Sequence, residues 1–326
     1  MTNFKKIGLT ALAGSLAVTS LAQAGSMEVT GTAQMEYESN AYGTGMNTVT
    51  DEFRFNQNLS FSGSGELDNG LNVALSFVLD QNDDKAADDQ STAGNYNAGS
   101  PFDTHSVTIS SDAMGSLKFS GEGGSSALTA MDGTAAGDIW DSFNITGSII
   151  PTAIGGGDNS MMYTLPEMMD GVAINASYTP RGTADSTVAY SVSYTGVENL
   201  TLAYALGDGS ADNTDGEAMK VSYVMGPITG TYTNYEYSGA TAAASDDTTS
   251  FAVTYLLPGD EVSITYGSEE IERSGKQDVE TWKVSASYTA GGMTVSATTM
   301  EIDNMDGTTT STQDRERWAL GLSFAF

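Results

Sequence analysis

The run RWALGLSFAF, residues 317–326, decides the reading of the whole chain. Trp318, Leu320, Leu322, Phe324 and Phe326 fall on one side of an extended ribbon. Arg317, Ala319, Gly321, Ser323 and Ala325 fall on the other. Side chains of a strand alternate between two faces, so this is the pattern of a strand with one apolar face and one small or polar face. The same period of two recurs upstream. Trp282, Val284, Ala286 and Tyr288 oppose Lys283, Ser285 and Ser287, and Val188, Tyr190, Val192 and Tyr194 oppose Ala189, Ser191 and Ser193. Leu71, Val73, Leu75, Phe77 and Leu79 oppose Asn72, Ala74, Ser76, Val78 and Asp80, while Phe53, Phe55, Leu59 and Phe61 oppose Arg54, Asn56, Asn58 and Ser60.

A soluble sandwich also alternates, so the period alone does not choose between a dry core and a lipid-facing wall. Two further features do. The second face is small and polar almost throughout, which suits a wet interior. The apolar face carries aromatics near strand ends, at Tyr178, Tyr194, Tyr204, Tyr223, Tyr255, Tyr266 and Tyr288, as at a membrane interface. Trp282 and Trp318 are expected to be outward or interfacial anchors for the same reason. The fold class is therefore all-β, a transmembrane antiparallel barrel of about sixteen strands. The expected strands are 26–38, 52–62, 71–80, 103–111, 115–121, 158–165, 171–179, 186–194, 199–206, 216–225, 228–237, 248–256, 260–267, 279–289, 292–302 and 315–326. Their connections alternate short and long. Gly63–Gly70, Ser111–Gly115, Pro166–Gly171, Thr195–Asn199, Met225–Pro227, Leu257–Asp260 and Ala290–Gly292 are turns rich in Gly, Pro, Asn or Asp. The stretches between them are mostly longer, notably Gln81–Phe102 and Glu122–Gly157. Tight turns at one end and long loops at the other are the habit of outer-membrane barrels.

The amino-terminal segment supports export. Lys5 and Lys6 precede an apolar run from Ile7 to Leu21, and Ala22-Gln23-Ala24 supplies small residues at a cleavage site. Residues 1–24 are expected to be a signal peptide and 25–326 the barrel. That segment holds two lysines and no acid, so the remainder is two charges more negative than the −30 of the whole chain. Such acidity excludes nucleic acid as a partner, because phosphate binding needs a basic surface. The absence of cysteine excludes disulfides and thiolate metal sites. No later apolar run approaches the roughly 18 residues of a membrane helix.

Catalytic chemistry has little to work with, and no enzyme is expected. His105 is the only histidine, there is no G-x-S-x-G elbow, and no Walker A or dinucleotide fingerprint occurs. No cofactor is expected. Loosely bound calcium in the acidic loops is the one ligand the sequence allows. Asp212-Asn213-Thr214-Asp215-Gly216 and Asp303-Asn304-Met305-Asp306-Gly307 resemble calcium loops, but Ala211 and Ile302 stand where the first ligand belongs.

From Val107 to Tyr163 the chain reads strand (VTIS), tight turn (SDAMG), strand (SLKFSG), a long acidic loop, then strand (NSMMYTLP). With the aromatic terminus Phe326, this resembles the Gram-negative general porins over the length of the chain without its leader. The resemblance implies sixteen strands, an outer-membrane homotrimer embedded in lipid, and passive diffusion of small hydrophilic solutes and ions. It also implies that the loop after the fifth strand, here Glu122–Gly157, folds into the lumen and constricts it. Glu122, Asp132, Asp138, Asp141 and Asp158 are the candidate constriction acids. Arg54, Lys118, Lys220, Lys283 and Arg317 are the candidate basic groups of the lumen wall. Acid in excess over base predicts a preference for cations. Trp140, within the loop, is expected to pack it against the wall. The competing readings are a secreted, soluble β-rich surface or adhesin protein and a solute-selective porin.

Overall fold

The computed structural model describes residues 26–42, 48–80, 104–129, 133–143, 154–180, 185–209, 211, 213–259, 261–305, 307 and 314–326. Among these residues sixteen strands form one closed antiparallel barrel, each paired with its neighbours in sequence and the last with the first. In order they are β1 (Ser26–Tyr42), β2 (Thr48–Glu66), β3 (Asn72–Asp80), β4 (Thr104–Ser111), β5 (Gly115–Glu122), β6 (Ser160–Thr164), β7 (Val172–Thr179) and β8 (Thr187–Val197). The second half comprises β9 (Leu200–Asp208), β10 (Asp215–Met225), β11 (Ile228–Ser238), β12 (Asp246–Leu256), β13 (Val262–Arg273), β14 (Val279–Ala290), β15 (Met293–Asp303) and β16 (Arg315–Ala325).

Closure is made between β1 and β16. The register runs from Thr32 opposite Ala325 to Tyr42 opposite Arg315. Gly31 and Phe326 extend it by exchanging backbone hydrogen bonds of 2.7 and 3.0 Å. Gly31 leaves room for the Phe326 ring, which a Cβ on it would approach to 2.6 Å. A closed ladder leaves no strand edge, which is what a hydrocarbon environment demands.

The registers carry one parity around the whole ring. Ala189, Ala205, Ala218 and Tyr235, packed together against the loop inside, define the inward face of β8–β11. Following the pairs from there places all seven tyrosines of the sequence pattern, and Trp282 and Trp318, on the outward face. Outward apolar side chains are bare in the isolated chain, Phe53 being 70 % exposed. Tyr37 joins Phe53 and Trp318 in an outward aromatic patch, with ring centroids 4.9 and 5.5 Å apart. The Trp282 indole N–H donates to Glu301 Oε2 at 2.9 Å, giving its polar edge a partner on the same outer face.

The short connections hold the left-handed residues that tight turns need. Gly292 has φ +80 and Asn199 φ +63, a conformation glycine and asparagine adopt most readily. Strand extents differ from the sequence reading most at three places. β1 and β2 continue pairing to Tyr42 and Thr48, into both ends of the loop read as Ser39–Asp51. β2 also continues to Glu66, into the stretch read as the turn Gly63–Gly70. β13 continues to Arg273, through residues read as a loop. Near the loop end the outward side chains are acids rather than apolar groups, so the apolar period fades while the backbone pairing persists.

This division of faces has a measurable consequence. Val284 is outward and mid-strand, and Ser285 beside it is inward. Val284→Arg should cost about 2–4 kcal/mol in urea titrations of the barrel in lipid vesicles, the range for a basic residue facing the bilayer midplane. Ser285→Arg should cost less than about 1 kcal/mol, since the surface range for ordinary substitutions is about half that.

Candidate functional site: the loop on the inner wall

The segment after β5 leaves the wall at Gly121–Gly124, and its described stretches 125–129 and 133–143 lie inside the barrel. Its root is tied by reciprocal backbone hydrogen bonds between Gly124 and Gly157, 3.1 and 2.5 Å. Ala127 and Leu128 are fully buried, with Ile154, against the inward Ala189, Ala205, Ala218 and Tyr235. Small inward residues make this possible. A Cβ on Gly216 would come 2.7 Å from Leu128 Cδ2, and one on Gly207 2.9 Å. Hydroxyls of the wall take up the loop's backbone donors: Ala127 N–H donates to Ser177 Oγ at 2.8 Å and Gly156 N–H to Thr179 Oγ1 at 3.2 Å.

The second described stretch, 133–143, crosses β11 to β16. Ala135 N–H donates to Thr233 Oγ1 at 2.9 Å and Ala136 N–H to Ser250 Oγ at 3.0 Å. Ala136 lies over Gly267, where a Cβ would approach it to 2.6 Å. A 3-10 turn, Ile139–Phe143, then inserts Ile139 and Phe143 among Ile271, Val279, Met300, Ile302 and Met305. Trp140 packs against the same cluster. Ile271, Val279, Met300 and Ile302 are inward, so they are apolar groups at positions where the rest of the wall is polar. They are apolar because the loop, not water, covers them. Burying each large apolar side chain is worth about 1.5–3 kcal/mol.

Glu269 on β13 anchors this stretch and escaped the sequence reading. Its carboxylate, 3 % exposed, accepts from the Thr134 hydroxyl, from Trp140 N–H at 3.2 Å and from Thr281 Oγ1 at 3.4 Å. Glu36, Glu38 and Glu52 escaped it too. On the inner wall of β16, β1 and β2, Arg54 Nη2 lies 2.7 Å from Glu38 and 2.8 Å from Glu52. Arg317 pairs with Glu36 at 2.8 Å and with Glu38. Period-two parity was the signal available for Glu36 and Glu38, since both share an inward face with Gln34 and Thr32.

The proposed constriction acids do not form one group. Asp138 and Asp141 lie on the loop within the lumen. Asp138 Oδ1 accepts from Thr134 N–H at 3.2 Å, while the Asp138 N–H donates to Thr134 Oγ1 at 2.6 Å. Asp141 is exposed, in the middle of the 3-10 turn Ile139–Phe143. Asp158 is at the root, where it accepts from Gly123 N–H at 3.4 Å. Glu122 pairs across the strand with His105, which pairs with the outward Phe77, so it stands apart from the lumen acids. Its Oε2 is 3.9 Å from His105 Nδ1. Asp132 lies outside the described residues.

All five basic candidates are inward by register. They are not equivalent. Lys118 on β5 and Lys220 on β10 make no ion pair among the described residues and stand half-exposed. Lys283 is under the loop: a Cβ on Gly137 would be 3.5 Å from its Nζ. Arg54 is shared between two carboxylates, and Arg317 is 9 % exposed. Of the two calcium-like stretches, Asp212 and Asp306 lie outside the described residues, and no cluster of three metal-binding side chains occurs among those described.

A closed, even-stranded barrel, apolar outside and polar inside, with a loop laid along its inner wall, is the architecture of a porin-type channel. The chain belongs to the Gram-negative porin family, whose model matches residues 8–326, and it is an outer-membrane protein. No curated protein matches it at a significant level. Solved structures share the fold at low identity. Two mutants of the Rhodopseudomonas blastica porin each align over 92 % of this chain and 100 % of theirs, with 15 % identity and TM-score 0.64. A structure from work on asymmetric conductivity of engineered proteins aligns over the same shares, with 15 % identity and TM-score 0.63.

The close fit of loop to wall predicts the effect of crowding it. Gly267→Val should push the 133–143 stretch away from β13 and lower single-channel conductance. The barrel should remain folded, because overpacking of one contact costs only about 1–3 kcal/mol.

Proposed function

We propose that the protein is a homotrimeric channel for passive diffusion of small hydrophilic solutes and ions, with a preference for cations. Trimerisation is inferred from the family. The observation that carries the ion preference is local neutralisation of the wall's positive charge. Arg54 and Arg317 face three carboxylates, Glu36, Glu38 and Glu52, so this island offers an anion no net attraction. Arg273 is likewise paired with Asp246 at 2.9 Å. Asp138 and Asp141 remain as the loop's own charges toward the passage.

The turn end supports the same reading. Asp68, Asp112, Glu167, Asp170, Glu198 and Glu261 are exposed there, and the seven short connections contain no Lys or Arg. Fixed negative charge at a mouth concentrates cations, within a screening length of roughly 8 Å at physiological salt. Acids at the narrowest point should therefore matter more than those at the rims.

Planar bilayers under a KCl gradient test this. The reversal potential should have the sign of cation preference, and an anion-selective sign would overturn the proposal. Asp138→Asn with Asp141→Asn should lower the cation-to-anion permeability ratio by a factor on the order of three. A unit charge a few ångströms from an ion in water is worth about 1 kcal/mol. An unchanged ratio would remove these two residues from the constriction. Residues 1–24 are further proposed to be cleaved on export, and amino-terminal sequencing of the protein from outer membranes should begin at Gly25.

A further inference from the structure

Glu38 has no access to any solute. Its side chain is fully buried beneath the junction of β16, β1 and β2, yet it contacts two guanidinium groups. We propose that Glu38 is a positioning residue for the constriction: it holds Arg317, and Arg317 latches the loop to the wall.

The geometry runs from strand to loop without a gap. Arg317 Nη1 donates to the Ser142 carbonyl at 2.8 Å, while Nη2 donates to Glu36 Oε1 at 2.8 Å and pairs with Glu38. Arg315, two residues earlier on the same face of β16, donates from Nη1 to the Phe143 carbonyl at 2.8 Å. Glu38 is supported from its other side by Arg54 and by Asn40 Nδ2 at 3.1 Å, and Arg54 is held by Glu52. A line of charged groups thus crosses three adjacent strands and ends on two loop carbonyls.

A buried guanidinium is tolerated only when paired, and the planar fork of arginine fixes direction as well as distance. Glu38 and Glu36 hold Nη2 of Arg317, and Nη1 of the same fork then reaches the Ser142 carbonyl. Neither Glu38 nor Arg317 needs to meet the permeating ion to set the aperture. The 133–143 stretch is also held by Glu269, by Ile139 and Phe143 in their apolar cluster and by Arg315, so the latch governs the Ser142 carbonyl itself rather than the whole stretch. This rests on the protein being a channel and not on its ion preference.

Glu52 supplies the discriminating control. Glu52→Gln and Glu38→Gln make the same isosteric replacement in the cluster, but of these two only Glu38 touches Arg317. Arg317→Lys keeps the charge and loses the fork. The chain has no cysteine, so Ser142→Cys provides a single labelling site on the loop. In that background the rate of modification by a water-soluble thiol reagent should rise roughly tenfold in Glu38→Gln and in Arg317→Lys, as expected for loss of one charge-assisted hydrogen bond. Single-channel current in both should split into several substates. Glu52→Gln should raise the labelling rate far less than Glu38→Gln, because Arg54 still reaches Glu38 and Glu38 still reaches Arg317. Folded barrels are compared throughout, identified by heat-dependent migration in detergent gels. Equal labelling rates in all three variants would overturn the proposal. So would a rise in Glu52→Gln as large as that in Glu38→Gln, because the cluster would then act through its field alone. Should Glu38→Gln not fold, Arg317→Lys still decides the matter. Absence of current from the parent protein would count against the channel reading, while the labelling comparison would stand.

Discussion

In hydrocarbon a backbone N–H or C=O without a partner costs several kcal/mol, and every other feature of this molecule is arranged around that fact. Sixteen strands satisfy it for one another, and the β1–β16 pairing removes the last free edge. Irregular backbone is then permitted only inside, where water and side-chain hydroxyls can serve as partners. The loop between β5 and β6 uses that permission. Its N–H groups find Ser177, Thr179, Thr233 and Ser250, inward hydroxyls that elsewhere would only line a wet tube.

The loop converts part of the lumen into something like the core of a soluble protein. Leu128 sits in a depression made by glycine and alanine, and Ile139 and Phe143 enter an apolar patch that would otherwise face water. Carboxylates do the remaining work of attachment. Glu269 receives hydrogen bonds directly, whereas Glu38 acts through arginine. The acids that hold Arg317, Glu36 and Glu38, also offset its charge and that of Arg54 on the inner wall. Loop attachment and the charge of the inner wall therefore share residues.

The barrel was legible because its signal is local and repeated: Trp318, Leu320, Leu322 and Phe324 disclose their strand with no knowledge of neighbours. Parity also placed Arg54, Lys283 and Arg317 on the inner face. What it could not convey is which of them remain in contact with water, since that depends on the path of a segment packed over them. Glu269 was hidden for a different reason. Its flanking outward residues, Ser268 and Glu270, are polar, so the alternation that marks a strand in lipid is missing where the strand rises above it. The inward apolar residues Ile271, Val279 and Ile302 were the overlooked clue. At positions of the polar parity, they mark where the interior is dry.

The joint between β1 and β16 also bears on how the molecule is made. Glu36 and Arg317, which meet there, are 281 positions apart. The hairpins on either side of each tight turn need only nearby partners, but this last zipping must bring together the two extremes of the polypeptide. Contacts so remote in sequence carry the largest entropy cost and form late. Until they do, the nascent wall is an open sheet with two sticky margins, and a latch that spans three strands across the joint has nothing to fasten. The latch to the loop therefore depends on closure of the ring.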